Sequence, residues 1–262
     1  MQKEYKNKVH FVKGDIQDFK KLLQASESVN AIIHLVAIVS VPKSIENPTE
    51  TNSVTLGGTI NVFEVAKKLK IKKVVQASSA AVYSLVSPYA ISKYTSELYA
   101  KSYFDLYEIN SISLRFFNVY GERQPADSPY SGVIAKFVDV FKKKDKGTLK
   151  AEQNISIFGD GKNTRDFIYV KDVAEIISNL IQKEIKGADV FNLGTGSSKT
   201  LLELIKTLEK IFGFKVKVNF KEERVGDIKK SVADISAIKK KHKIKINYVL
   251  ETGLLDMLSA EN

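Results

Sequence analysis

The feature that most restricts the fold of this chain is the junction between a short apolar run and a long helical stretch. The run Lys73–Ala77 ends in two serines, Ser78 and Ser79, and its composition predicts a buried parallel strand. The stretch from Tyr89 to about Glu108 contains no Pro or Gly, which predicts a helix. Three apolar residues at helical spacing support this prediction: Ile91, Tyr94 and Leu98. A serine at the end of a strand is therefore expected to meet the first turn of the next helix.

The residue types at this junction predict acid–base chemistry. Tyr89 and Lys93 are four residues apart and share one face of the predicted helix. A phenol with a pKa of about 10 is a poor base at neutral pH, but an adjacent ammonium favours the phenolate. With Ser79 sharing the hydrogen bond to a substrate hydroxyl, such a group can remove a proton from an alcohol while a cofactor takes the hydride. A surface helix with an incidental Tyr and Lys is the alternative, and the preceding Ser-Ser strand end argues against it.

The segment Ser79–Tyr83, taken with Tyr89 and Lys93, resembles the extended short-chain dehydrogenase/reductase family, and most of all its UDP-glucose 4-epimerase branch. The resemblance implies an NAD-dependent enzyme in which Tyr89 is the base, Lys93 tunes it and holds the nicotinamide ribose, and Ser79 is the third catalytic member. Sugar-nucleotide 4,6-dehydratases usually carry Asp-Glu directly after this serine, whereas this chain has Ala80-Ala81. Epimerisation at C4 of a UDP-sugar of the UDP-glucose/UDP-galactose type is therefore favoured, with dehydration and uronate decarboxylation as alternatives.

Other segments resemble the cofactor contacts of that family. By resemblance Gly14-Asp15-Ile16 contacts the adenine, and residues 34–37 match an H-L-A-A segment, with Val36 replacing the first Ala. Thr55 stands where the family usually has Asn, so a hydroxyl is left to make that contact. His34, on an apolar strand, is expected to be a core residue without a catalytic role. The implied cofactor-binding residues are Asp15, Ile16, Leu35, Val36, Ala37, Thr55, Tyr89, Lys93 and Phe116.

Three later motifs resemble the family's nucleotide-sugar site: residues 114–121, 155–173 and 224–227. The resemblance implies that Phe158 packs on uracil, that Arg165 and Arg224 clamp the diphosphate and that Asp227 accepts hydrogen bonds from the ribose. A hairpin-like connection and an exposed turn are the structural alternatives for the last two motifs. The implied substrate-binding residues are Ser79, Asn118, Val133, Ile134, Phe158, Arg165, Arg224, Asp227 and Ser231. Because Ser231 is small where a bulky residue can exclude an N-acetyl group, UDP-GlcNAc is a second candidate substrate.

Composition and charge argue against several other functions and partners. The net charge of +11 comes from Lys clusters such as Lys142–Lys146 that contain almost no interleaved aromatic residues, which favours solvated helix ends over nucleic-acid binding. The absence of Cys and the wide spacing of the three His argue against disulfides and metal sites. No signal peptide and no membrane span are predicted, so a cytoplasmic location and no membrane partner are expected. The resemblance implies a homodimer formed through the helices that begin near Thr59 and Tyr89.

The expected fold is α/β, a Rossmann-type doubly wound parallel sheet with a smaller nucleotide-sugar-binding domain. Residues 1–126 with 166–196 are predicted to form the NAD-binding part, and residues 127–165 with 197–262 the sugar-nucleotide part. The first strand is predicted at Val9–Val12 and the next at Ala31–Ala37. Gly194-Thr195-Gly196 is expected to be a turn into a helix rather than a phosphate loop, because a lone G-x-G is a weak signal.

The first βαβ unit of this fold, with its Gly-rich pyrophosphate loop, has no counterpart before Asp15, and the connection from Tyr83 to Tyr89 is short for the family. Three explanations are open: the missing residues are part of a longer protein from which this chain is taken, a partner chain supplies the missing strands, or the chain is a truncated nucleotide-sugar-binding remnant without redox activity. The first is favoured because each later motif is intact.

Overall fold

The computed structural model describes residues 8–128, 132–150, 154–223 and 228–260, and these group into two compact units. The first unit comprises residues up to 113 together with 185–189, and the second comprises residues 114–184 and 190–262. The predicted assignment of an NAD-binding part and a sugar-nucleotide part is a division by function, and it stays a prediction.

The first unit is built on a parallel sheet. β1 (Ile32–His34) pairs in parallel with β2 (Lys73–Ser79), and the sheet order is β1-β2-β3-β8, in which β3 (Asn110–Phe116) and β8 (Ala188–Leu193) begin in this unit. Its core is formed by apolar residues that include Phe63, which is fully buried. The helices of this unit are α1 (Phe19–Ala25), α2 (Val41–Glu46), α3 (Pro48–Asn52), α4 (Gly58–Lys68) and α5 (Pro88–Tyr107).

The prediction of a strand at Val9–Val12 was wrong. These residues are irregular, and Phe11 is 80% exposed. A strand needs a neighbour to satisfy its backbone N–H and C=O groups, and β1 has only β2 beside it within the described residues. β1 was predicted over Ala31–Ala37 but is regular only from Ile32 to His34. It too has a neighbouring strand on one side only within the described residues.

The second unit is built from small sheets and helices. β4 (Asn118–Tyr120) pairs in parallel with β7 (Phe167–Tyr169), and β5 (Ile155–Phe158) with β10 (Val218–Lys221). β6 (Thr164–Arg165) lies between β9 (Lys199–Thr200), which is antiparallel to it, and β11 (Lys230–Ser231), which is parallel. The helices are α6 (Val133–Asp145), α7 (Val170–Gln182), α8 (Leu201–Phe212), α9 (Ser236–His242) and α10 (Leu250–Ala260).

Local sequence signals fix several of these boundaries. The Thr200 hydroxyl accepts from the Glu203 N–H and the Glu203 carboxylate accepts from the Thr200 N–H, which forms a capping box at the start of α8. Gly213 ends the helix with φ 77°, a conformation that favours glycine. None of the helices within the described ranges combines the length and the apolar character that crossing a bilayer requires.

Candidate active site

Helix α5 buries its polar face. Ile91 and Leu98, from which the helix was predicted, are 52% and 53% exposed. The buried positions instead include the polar residues Ser92, Lys93, Ser96 and Glu97. Because a polar group removed from water costs free energy unless it is hydrogen-bonded or paired, this face needs a set of matched partners.

The Ser79–Tyr89 pair lies where β2 ends and α5 begins. Ser79 Oγ accepts from the Ala81 N–H at 3.2 Å, and the Ser79 and Tyr89 side chains are hydrogen-bonded to each other. Burial raises the pKa of the Tyr89 hydroxyl, and the hydrogen bond with Ser79 opposes that shift. The expected lowering of this pKa by Lys93 is not what the structure shows. In the protein alone Tyr89 is therefore a neutral phenol near pH 7.

Lys93 follows Tyr89 by one helical turn and is 3% exposed. Its ammonium donates to the Ala77 carbonyl oxygen of β2 at 2.6 Å. Burial lowers the pKa of Lys93 to about 8, and Glu97 acts in the opposite direction. Most molecules therefore carry a positive charge at this position at pH 7.

Lys93 makes stability depend on pH. Its folded-state pKa, about 8, lies below the ordinary value of 10.5, so the unfolded chain binds more protons between these values and stability is lost as the pH falls through 8. We expect wild type to gain on the order of 2 to 3 kcal/mol relative to Lys93→Met between pH 7 and 10. Urea unfolding of both proteins measures this, and the tyrosine contributions cancel in the difference. A difference that does not change with pH would contradict the assignment.

A chain of hydrogen bonds joins β1 to α4. The Thr59 hydroxyl donates to the Thr55 carbonyl at 2.7 Å, so its oxygen accepts from His34 Nε2 at 3.0 Å. Burial, with a smaller effect of Lys93, lowers the pKa of His34 to about 4, so this ring is neutral at pH 7. The Thr55 Oγ1 accepts from the Ile38 N–H at 3.2 Å, and it lies in a π-helical turn, Ser53–Gly57. Such turns are frequent at functional sites. His34 is thus a satisfied core residue, as expected.

The remaining predicted cofactor residues of the first unit lie near the same ends of β1 and α4. Leu35 and Val36 are exposed directly after β1, and Ala37 is half-buried. Asp15 is exposed, and its Oδ1 accepts from the Gln17 N–H. Ile16 packs closely on Gly58, since a Cβ added at Gly58 would lie 2.8 Å from Ile16 Cγ2.

The structure fits the nicotinamide end of NAD. The carboxyl ends of the neighbouring parallel strands β1 and β2 share one edge of the sheet, where α/β proteins bind their ligands. That edge carries the apolar side chains of Leu35 and Val36 and the buried Tyr89–Lys93 pair. A glycine-rich strand-turn-helix for the pyrophosphate is not found among residues 8–113.

In the second unit β6 and β11 bring Arg165 and Ser231 together as direct partners in their parallel pairing. Arg165 Nη1 donates to the Thr164 and Ile228 carbonyls at 2.9 and 2.5 Å, which fixes the direction of its guanidinium. Asn118 Nδ2 donates to the Asp166 carbonyl at 2.9 Å. Strand pairing and hydrogen bonds to backbone carbonyls therefore hold three predicted substrate residues in or next to β6: Asn118, Arg165 and Ser231.

The other predicted site residues of this region lie at the ends of strands or at the start of α6. Phe158 ends β5 half-buried, with Lys221 Nζ 5.8 Å from its ring centre. Phe116, which was predicted as a cofactor residue, ends β3 half-buried. Val133 begins α6, and the Ile134 side chain is in the core, so only the backbone of Ile134 can reach a ligand. Arg224 and Asp227 lie outside the described residues.

Sequence reasoning missed the role of Asp166. Its fully buried carboxylate accepts from the N–H groups of Thr195, Gly196 and Ala233 at 2.8 to 3.1 Å, and from the Thr195 hydroxyl at 2.7 Å. These N–H groups are thereby satisfied within the chain, which argues against a phosphate loop at Gly194-Thr195-Gly196. The segment leads into the short strand β9 and only then into α8, rather than directly into a helix as expected. The adjacent Arg165-Asp166 pair was visible in the sequence, but its distant partners were not.

Comparison with known proteins agrees with this architecture. Residues 1–194 match the model of the NAD dependent epimerase/dehydratase family. A protein of Methanocaldococcus jannaschii, whose name gives UDP-glucose 4-epimerase as its expected activity, is 37% identical over 87% of this chain and 76% of its own length.

Two solved structures are similar over nearly the whole chain. The UDP-glucose 4-epimerase of Thermotoga maritima with UDP-glucose has a TM-score of 0.87 and 28% identity, covering 98% of this chain and 86% of that one. The UDP-N-acetylglucosamine 4-epimerase of Methanobrevibacter ruminantium in complex with UDP-N-acetylmuramic acid has a TM-score of 0.83 and 31% identity, covering 95% and 81%. These similarities confirm the predicted Rossmann-type α/β fold.

Proposed function

We propose that this protein, which belongs to the NAD dependent epimerase/dehydratase family and uses NAD as its cofactor, inverts C4 of a UDP-sugar through a 4-keto intermediate, with UDP-glucose and UDP-galactose as the substrate pair. The observation that carries the proposal is the buried Tyr89–Lys93 pair beside Ser79 at the carboxyl end of β2. Ala80-Ala81, in place of an Asp-Glu pair, supports epimerisation over dehydration.

The residues of the first unit would handle the proton of the 4-hydroxyl. Ionised Tyr89 accepts this proton and later returns it, and Ser79 holds the phenol oxygen in place by the hydrogen bond between their side chains. Tyr89 is a neutral phenol in the protein alone, so we propose that its ionised form arises only when substrate and NAD are bound, with the Lys93 ammonium, fixed on the Ala77 carbonyl, as the positive charge that stabilises it there. NAD, when bound, supplies the hydride acceptor and donor at C4.

The residues of the second unit would hold the nucleotide. We assign the diphosphate to Arg165 and Arg224, the uracil to Phe158 and the ribose to Asp227. Asn118 and the first turn of α6, whose N-cap Gly132 supplies no side-chain cap, are assigned to the remaining phosphate oxygens. A guanidinium already oriented by two carbonyls suits bidentate binding of a diphosphate.

Product analysis tests the proposal. Incubation with UDP-glucose should give UDP-galactose, and the reverse reaction should reach the same equilibrium mixture, because an epimerase moves both substrates toward one ratio. A 4-keto-6-deoxy product would identify a dehydratase, and loss of CO₂ from UDP-glucuronate a decarboxylase. UDP binding without NAD release on denaturation, and without turnover, would identify a binding protein and overturn the proposal.

The sugar range is expected to depend on Ser231. Its side chain is small and half-buried, and Ser231 is the strand partner of Arg165 in the pairing of β11 with β6. The related M. ruminantium enzyme is a UDP-N-acetylglucosamine 4-epimerase. We expect turnover of UDP-GlcNAc, and we expect Ser231→Tyr to lower kcat/KM for UDP-GlcNAc about 10- to 100-fold more than for UDP-glucose. Ser231→Thr is the control and should keep both activities. Equal losses on both sugars would contradict a role in selecting the substituent at C2.

We also propose that the protein is a homodimer that uses α4 and α5. The exposed Ile91 and Leu98 form an apolar strip on α5 that supports this arrangement.

A further inference from the structure

Three successive residues at the end of β2 contact three residues spaced one turn apart on α5. The Ala77 carbonyl accepts from Lys93 Nζ, the Ser78 hydroxyl donates to Glu97 Oε1 at 2.5 Å, and Ser79 is bonded to Tyr89. The first and third contacts belong to the proposed catalytic residues. The second contact, between Ser78 and Glu97, has no part in the chemistry described so far.

Glu97 and Ser78 are as deeply buried as the catalytic pair. Glu97 is 5% exposed, and Ser78 and Lys93 are also buried. A buried ammonium is expensive unless an opposite charge lies near it, and Glu97 is one helical turn beyond Lys93 on the same buried face. We infer that Glu97 is a positioning residue for Lys93: its carboxylate, held by the Ser78 hydroxyl, keeps the ammonium protonated beside Tyr89. The link to catalysis rests on the proposed function, whereas the link between Glu97 and Lys93 does not.

The electrostatics around Lys93 agree with this inference. Burial lowers the pKa of Lys93, and Glu97 is the group that raises it. His34, the last residue of β1, faces the same ammonium and is neutral because burial and Lys93 lower its pKa to about 4. Tyr89 is a neutral phenol in the protein alone. Without Glu97, Lys93 would therefore face a neutral imidazole and a neutral phenol.

A double-mutant cycle tests the inference without any assay of activity. The variants are Glu97→Gln, Lys93→Met and the double variant, each unfolded with urea at pH 7. Glutamine keeps the shape of the side chain and can still accept from Ser78. We expect Glu97→Gln to lower the folding equilibrium constant at least tenfold in wild type and to leave it unchanged or higher in the Lys93→Met background, because the ammonium that it stabilises is then absent. Equal effects in both backgrounds would overturn the inference.

The pH at which Lys93 loses its proton is the second readout. It is obtained from the difference in stability between each protein and the same protein carrying Lys93→Met, measured as a function of pH. We expect this pH to be about one unit lower in Glu97→Gln, since loss of a nearby opposite charge lowers the pKa of an ammonium by about that amount. The control is Glu108→Gln, an exposed carboxylate at the end of the same helix, which should leave this pH unchanged. If Glu97→Gln does not fold, Ser78→Ala, which frees the carboxylate, should give a smaller shift in the same direction. No shift in either variant would exclude the role.

Kinetics then separate this inference from the proposed function. In an active enzyme, the alkaline pH at which kcat/KM declines should fall by the same amount in Glu97→Gln. If the protein has no epimerase activity, the proposed function fails, and the unfolding cycle still decides whether Glu97 holds the charge of Lys93. If the double-mutant cycle shows coupling between Glu97 and Lys93 but the alkaline decline of kcat/KM stays at the same pH in Glu97→Gln, Lys93 is not the group whose titration limits turnover.

Discussion

Replacement of Tyr89 by phenylalanine is expected to lower kcat by about 10²- to 10⁴-fold, the usual contribution of a general acid–base group. The substitution removes one hydroxyl and keeps the ring that is buried at the start of α5. Ser79 loses its partner on the phenol, but its bond to the Ala81 N–H remains. The loss should therefore fall on turnover rather than on folding. Conversion of UDP-glucose to UDP-galactose, followed by chromatography, measures it.

UDP binding should be almost unchanged in Tyr89→Phe, because the residues assigned to the nucleotide belong to the second unit. Tyr83→Phe is the matched control: Tyr83 lies close in sequence, is 61% exposed and should lose less than threefold in kcat. Activity of Tyr89→Phe within threefold of wild type would refute the assignment of the base. A large loss in Tyr83→Phe instead would transfer that role to Tyr83.

The parts of this molecule that could be predicted from sequence are those set by local interactions. Thr200 and Glu203 have the spacing of a capping box in the sequence, and in the structure this box starts α8. The junction of β2 with α5 was also predicted, because a strand end, a short turn and a helix start depend on neighbouring residues. These features place Ser79 and Tyr89 in contact.

The parts that failed depend on distant neighbours. A strand at Val9–Val12 requires hydrogen-bonding partners that the described residues do not supply, so the apolar residues stay exposed. Helix α5 was recognised from Ile91 and Leu98, but hydropathy cannot show that the polar face turns inward, because that depends on Gln76 and Ser78 in β2. The raised pKa of Tyr89 was missed for the same reason, since burial of the hydroxyl is a property of the assembled unit.

The second large effect is expected at Asp166. We expect Asp166→Ala to lower the free energy of unfolding by about 3 to 5 kcal/mol, as is typical when one partner is removed from a buried charged network. The carboxylate is fully buried and accepts from three backbone N–H groups, and Ala233, which supplies one of them, is itself buried. The carboxylate packs closely on this loop, because a Cβ at Gly194 would lie 2.7 Å from Asp166 Oδ2. Asp166→Asn should also destabilise, since its amide NH₂ would face backbone donors.

Thermal and urea unfolding measure this loss, and Asp160→Ala is the matched control. Asp160 lies six residues earlier and is exposed, with its Oδ1 accepting from the Lys162 N–H, so its replacement should cost less than about 1 kcal/mol. Because Asp166 adjoins Arg165 and holds the backbone two residues from Ser231, its loss should also weaken UDP-sugar binding under conditions where the variant is still folded. A variant as stable as wild type would show that the N–H groups find other acceptors. A stable variant with weakened binding would instead place Asp166 in the recognition of substrate.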